Sequence, residues 1–194
     1  MQAMPPEAGS EQASLHVGGD HSGGPVHPVS TRRASRRPLH FHCLNCIAAE
    51  LDRIEAAHAA GTLTTTGNWT PGENLDHCTK LFEFALDGFP SSAPWFVRAV
   101  ARVFLRTRAT SGRTAPAGFQ LPKDAAYMLP TPGIAFEQSV ARMRSCLARI
   151  AAGERMTRPN PLFGPMTHDE WVRMQCGHCQ LHLGFLHYPG APEK

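Results

Sequence analysis

His178 and His182 stand four residues apart in the stretch Thr167–His187, THDEWVRMQCGHCQLHLGFLH. On a helix both imidazoles leave one face, a turn apart, which is the spacing two ligands of one metal ion need. The stretch opens with Thr167-His168-Asp169-Glu170, a capping box in which each side chain satisfies the other's orphan backbone donor. The residues behind this box include no Pro and are numerous enough for about five helical turns. A tetrahedral or octahedral ion needs further ligands, and His77 is a candidate. It sits among the core-facing residues of an earlier predicted helix, where a third ligand or a hydrogen-bonded core histidine are both at home. Gln175, one turn before His178, is placed either to orient something bound at the metal or to be an ordinary helix-surface residue.

Sulfur offers a second chemistry. Cys43-x-x-Cys46 and Cys176-x-x-Cys179 carry the two-residue gap of zinc-binding pairs. Most of the chain separates the two pairs, and both fall in or beside predicted helices, where such cysteines act as small apolar fillers. Nucleophilic catalysis by Cys78 or Cys179 is disfavoured, because the neighbouring His77 and His178 point elsewhere on a helix. Arg32-Arg33 and Arg36-Arg37 are followed by a segment too polar for an export signal, so a cytoplasmic protein with reduced thiols is expected.

Four long helices must position these groups. The first is expected over Leu44–Ala59, where Ile47, Leu51 and Ile54 recur at helical spacing. A second capping box, Thr70-Pro71-Gly72-Glu73, starts the helix Pro71–Leu86 that carries His77. Trp69, just before it, reads as a hydrophobic staple. Pro94–Arg106 reads as one short extra amphipathic helix, with Phe96, Val97, Val100, Val103 and Phe104 facing inward and arginines outward. Thr110–Pro132 is a long Pro- and Gly-rich excursion of the kind that is often functional. The third long helix spans Ile134–Ala152, and the fourth carries the His pair. No strand is apparent, so the expected fold is all-α, an up-and-down four-helix bundle over residues 35–188.

The totals bound the function. The chain has 194 residues and a net charge of +3, enough for one domain with a proper core. Residues 1–34, rich in Gly, Pro and Ser, are expected to be a disordered tail, and 189–194 a short polar tail. His16, His21 and His27 fall in the first of these. No apolar stretch approaches the roughly 20 residues of a membrane span. The arginine patches carry no reading motif, so neither nucleic acid nor membrane is an expected partner.

Taken in order, Arg36-Arg37-Pro38-Leu39-His40-Phe41, Gly67-Asn68-Trp69-Thr70, Leu75-Asp76-His77, Phe163-Gly164-Pro165-Met166-Thr167 and His178-x-x-x-His182 resemble the motifs of the DUF1569 proteins, in the DinB/YfiT-like superfamily of four-helix bundles. The resemblance covers about residues 35–187. It implies a three-histidine site on His77, His178 and His182 holding one divalent metal, with Zn, Ni and Fe(II) all suited to imidazole. It also implies a metal-assisted transferase or hydrolase acting on an unknown small-molecule substrate, with a low-molecular-weight thiol as co-substrate in some members. The alternatives are a non-catalytic metal-binding or stress-associated bundle, and a metal-free scaffold. A homodimer is compatible with each. The cysteines are departures from the pattern.

Overall fold

Ile47, Leu51 and Ile54 are fully buried on one side of α1, which spans Leu44–Ala59 as its apolar spacing requires. The structure, a computed structural model, describes residues 28–118 and 123–191. The disorder expected of residues 1–27, and the end of the polar tail at 192–194, lie outside the described residues. Residues 28–34 are tied down. Val29 and Asn68 exchange two hydrogen bonds, of 2.7 and 3.0 Å, and the Arg33 and Ala34 N–H groups turn back onto the Ser30 carbonyl.

The described residues are mostly helical. After α1 come α2 (Pro71–Asp87), α3 (Trp95–Phe104), the short α4 (Arg106–Ala109), a 3-10 turn at Lys123–Met128, α5 (Phe136–Ala151) and α6 (His168–Leu183). Both predicted capping boxes form, Thr70 with Glu73 and Thr167 with Glu170. Helix α2 makes its broadest contact with α5 and its next with α6, while α1 packs on α5 and α6. Gly72 permits the first of these contacts, since a Cβ there would stand 2.7 Å from the Ile134 carbonyl oxygen.

Three expectations are corrected. A small antiparallel sheet exists, β1 (Thr64–Thr65) against β2 (Leu186–His187), so α6 stops at Leu183 instead of running towards His187. The cause is Gly184. The Arg37 N–H donates to its carbonyl at 2.8 Å, and a Cβ there would lie 2.8 Å from the Gln180 oxygen and 3.2 Å from the Arg37 oxygen. That close approach draws the chain off the helix and onto β1.

Second, the single extra helix is replaced by α3, α4 and the 3-10 turn. Third, α3 is turned the other way. Trp95, Val103 and Phe104 are 79%, 72% and 74% exposed, while Ala101 is buried and Arg98 half-buried. Arg106, expected on the outer side, grips Glu170 through bonds of 2.9, 3.0 and 3.2 Å. An amphipathic pattern states that a helix has two faces, and the tertiary contacts decide which one turns in. Here the small face and a charge-assisted pair decide it.

One buried polar network ties the stretch before α1 to the segment after α6. Arg37 donates to Glu50 of α1 at 2.6 Å, to the Leu183 carbonyl at 3.0 Å, to the Tyr188 hydroxyl at 3.1 Å and to the Leu186 carbonyl. It fixes the end of α6 against α1.

Candidate metal centre

Glu73, Asp76, His77 and Lys80 recur at three and four residues along α2, so they form one face. That face receives the loop after the 3-10 turn. Glu73 accepts the Gly133 N–H at 3.0 Å, Asp76 accepts the Thr131 N–H at 2.7 Å, and Lys80 donates to the Leu129 carbonyl at 2.6 Å. Burial raises the Asp76 pKa, but the Thr131 N–H, Arg142 and Lys80 outweigh it and hold the carboxyl below its ordinary value. The loop is thereby pinned with the Met128 carbonyl against His77 Nδ1, 2.7 Å away.

A carbonyl oxygen only accepts, so His77 Nδ1 carries the proton and Nε2 keeps its lone pair. That lone pair meets His178. The two Nε2 atoms are 3.1 Å apart, although 101 positions separate the residues. His182 completes the group, with ring centroids 4.4 Å from His77 and 4.6 Å from His178, and 4.8 Å between those two. One nitrogen from each ring lies within 4.8 Å of the other two, with no Asp, Glu or Cys joining them among the described residues.

Electrostatics keep the rings neutral. Burial, and then the neighbouring imidazoles, push the His178 and His182 pKa values well below the ordinary range, and burial lowers His77 as well. His178 and His182 keep some exposure as residues. Their Nδ1 atoms are nevertheless buried without any hydrogen-bond partner. Buried polar atoms are rarely left so, because each costs about 1–3 kcal/mol.

Ligand geometry offers a direct comparison. With metal–nitrogen bonds near 2.0–2.1 Å, two nitrogens on one ion stand about 2.9 to 3.4 Å apart, for angles between 90° and tetrahedral. The Nε2 pair at 3.1 Å falls inside that interval. Three mutually facing neutral imidazoles, one oriented by a backbone carbonyl and two with unpartnered nitrogens, therefore fit a metal ion.

The structure thus brings His77, His178 and His182 together. Gln175 is fully buried, with its amide nitrogen 3.9 Å from Met156 Sδ and its oxygen unpartnered. Trp69 is not a plain staple. Its ring stacks on His182 at 5.5 Å and tilts over His77 at 4.8 Å, forming a wall of the cluster. Asn74, the residue a staple would contact, instead binds the Trp69 carbonyl. The Met128 carbonyl has no sequence signature, since any residue supplies one. Only the Pro- and Gly-rich length of its loop pointed there.

The four cysteines of the two pairs do not gather within ligand distance of one another among the described residues. Cys179 and Cys78 hydrogen-bond in the core, and that contact together with burial raises the Cys179 pKa well above its ordinary value. Burial first, and then Cys179, Cys43 and Cys46 nearby, push Cys176 up to about 12. Both remain thiols and fill space. Cys43 and Cys46 behave differently. Their sulfurs are 3.1 Å apart at the start of α1, and His42 lies 3.5–3.6 Å from Cys46 Sγ.

A family model described as "Protein of unknown function (DUF1569)" matches residues 33–188, and the chain belongs to that family. No curated protein and no solved structure matches the chain.

Proposed function

We propose that this member of the DUF1569 family is a DinB-like four-helix-bundle protein, built from α1, α2, α5 and α6, that holds one divalent metal ion through His77, His178 and His182. The observation that carries this reading is the 3.1 Å approach of the His77 and His178 Nε2 atoms, with His77 Nδ1 occupied by the Met128 carbonyl. Neutral imidazoles suit Zn(II), Ni(II) or Fe(II), and three of them leave coordination positions open. Bound there, such an ion supplies Lewis acidity to an oxygen or sulfur ligand.

The protein's own residues do the positioning. Met128 fixes the His77 tautomer, the α6 backbone sets His178 and His182 one turn apart, and Trp69 covers two of the rings. On this reading the activity is a metal-assisted transfer or hydrolysis on a small molecule, with a low-molecular-weight thiol as co-substrate. A non-catalytic metal-binding role is the second reading. It is favoured because, among the described residues, no carboxylate or thiol joins the three rings to act as acid or base. All six cysteines are free, which suits a reducing cytoplasm. No helix among the described residues is long and apolar enough to cross a membrane.

A homodimer would use the outward face of α3, because pairing two copies removes Trp95, Val103 and Phe104 from water. Sedimentation velocity tests this, and an unchanged monomer peak for both the native chain and Val103→Glu rules it out. The metal reading is tested by elemental analysis of the native chain and of His178→Ala. The native chain is expected to carry one more equivalent than the variant, and equal content in a folded variant would refute it. Assays of the metal-loaded chain with and without glutathione-like thiols then divide a catalyst from a binding protein.

A further inference from the structure

We propose that His42, Cys43 and Cys46 form a second metal site, for Zn(II) or an ion of similar thiophilicity, independent of the histidine triad. The site arises from how α1 begins. Cys43 is the N-cap, with extended backbone at φ −154° and ψ 169°, and its side chain makes no capping hydrogen bond. An N-cap side chain normally turns back onto the free N–H groups of the first turn. Here the sulfur is directed to its neighbours. Cys46, three residues on, returns over the cap, and His42 flanks it from outside the helix. One ligand atom from each of the three residues lies within 4.8 Å of the other two.

The separations accommodate a shared ion. With zinc–sulfur bonds near 2.3 Å and zinc–nitrogen bonds near 2.0–2.1 Å, a tetrahedral site sets sulfur and nitrogen about 3.6 Å apart and two sulfurs about 3.8 Å apart. Both His42 ring nitrogens are already 3.5–3.6 Å from Cys46 Sγ. The sulfurs, 3.1 Å apart, would open by about 0.7 Å to share an ion, and would have to close by about 1 Å to reach the disulfide length near 2.05 Å. A disulfide also leaves His42 without a role, whereas two thiolates and an imidazole make a donor set zinc prefers.

A fourth ligand has room to come from outside. No further His, Cys, Asp or Glu joins the cluster among the described residues. A cavity of about 320 Å³ opens beside His42, lined also by His40, Ser111, Arg113 and Thr114. His42 is exposed and both cysteines half-buried, so an ion can be exchanged without unfolding the protein. The triad, by contrast, is assembled from α2, α6 and the loop that pins His77.

Cobalt(II) chloride titrated into the fully reduced full-length chain tests the site, because cobalt bound to thiolate absorbs strongly in the near ultraviolet and cobalt bound only to imidazole does not. The native chain and His178→Ala are both expected to show the band, and Zn(II) is expected to bleach it. The Cys43→Ser/Cys46→Ser variant is expected to lose the band while keeping the metal equivalent that depends on His178. Both cysteines lie at the margin of the core, and far-ultraviolet circular dichroism verifies that the variant is folded. Absence of the band in the reduced native chain, or its persistence undiminished in the double variant, overturns the proposal. Since the band does not depend on His178 and the His178-dependent equivalent does not depend on the thiols, a failure of the triad and a failure of this site are read separately.

Discussion

The two histidine-containing clusters are built in opposite ways. His77 and His178 are 101 positions apart, and their meeting depends on two capped helices, a pinned loop and a half-buried wall of Trp69. His42, Cys43 and Cys46 lie within five consecutive residues, and the first turn of α1 is enough to gather them. The first arrangement exists only in the folded chain, so its ligand affinity and the folding free energy are coupled. The second is local and only partly buried. Perturbing the tertiary structure should therefore separate the two clusters, while changing the helix start should act on one alone.

Arg37 offers the largest perturbation, because it links the middle of α1 to the far end of α6 through Glu50 and Leu183. Arg37→Met leaves Glu50 buried without its main partner, and breaking a buried pair in this way costs about 3–5 kcal/mol. Urea unfolding should show that loss, with metal affinity falling at the triad and little changed at the thiols. Equal loss at both clusters would contradict the separation.

Gly177→Ala acts where α6 meets the loop that crosses it. A Cβ there would collide with the Arg113 carbonyl oxygen, where the long loop crosses the helix and the Ala115 N–H binds the Gly177 carbonyl at 3.0 Å. Overpacking of this kind costs about 1–3 kcal/mol. The expected result by thermal unfolding is a lower Tm, together with weaker metal binding at the triad, since His178 is the next residue.

Acidification should act in the same direction. In the metal-free chain His178 and His182 are held well below the ordinary histidine pKa by burial, and by neighbouring imidazoles. The unfolded chain takes up protons below about pH 6.5 that the folded chain refuses. These two groups therefore leave stability unchanged above about pH 7 and reduce it progressively as pH falls through 6.5. Urea midpoints measured between pH 5 and 8 test this against His178→Leu/His182→Leu, whose decline over that window should be shallower.

The smallest effect is also the most specific. Thr70 and Thr167 cap α2 and α6 with their side chains, and Cys43 does not cap α1. Cys43→Ser supplies a hydroxyl suited to that position and should stabilise the chain by up to about 1 kcal/mol, while Thr167→Ala should destabilise it by about the same amount. Calorimetry distinguishes the two signs. A destabilised Cys43→Ser would mean that the sulfur makes packing contacts that outweigh a cap.

Local chemistry is legible in the residues themselves. The apolar spacing marks α1 at Leu44–Ala59, and the two capping boxes mark the starts of α2 and α6, since each signal lies within one turn. The His178–His182 spacing is equally local. Adding His77 to it needs a family resemblance, because no periodicity states which buried histidine faces which helix. Non-local features are illegible for the same reason. The end of α6 depends on Arg37 approaching Gly184, the facing of α3 on Arg106 reaching Glu170, and the His77 tautomer on a backbone carbonyl 51 positions away.

Zinc X-ray absorption on Cys43→Ser/Cys46→Ser, loaded with one equivalent, interrogates the histidine triad alone because the competing thiols are gone. Three imidazole nitrogens at about 2.0–2.1 Å, with the multiple scattering of intact rings, are predicted. A first shell of oxygen without imidazole scattering, or no retained zinc in the folded variant, would contradict a metal centre on His77, His178 and His182.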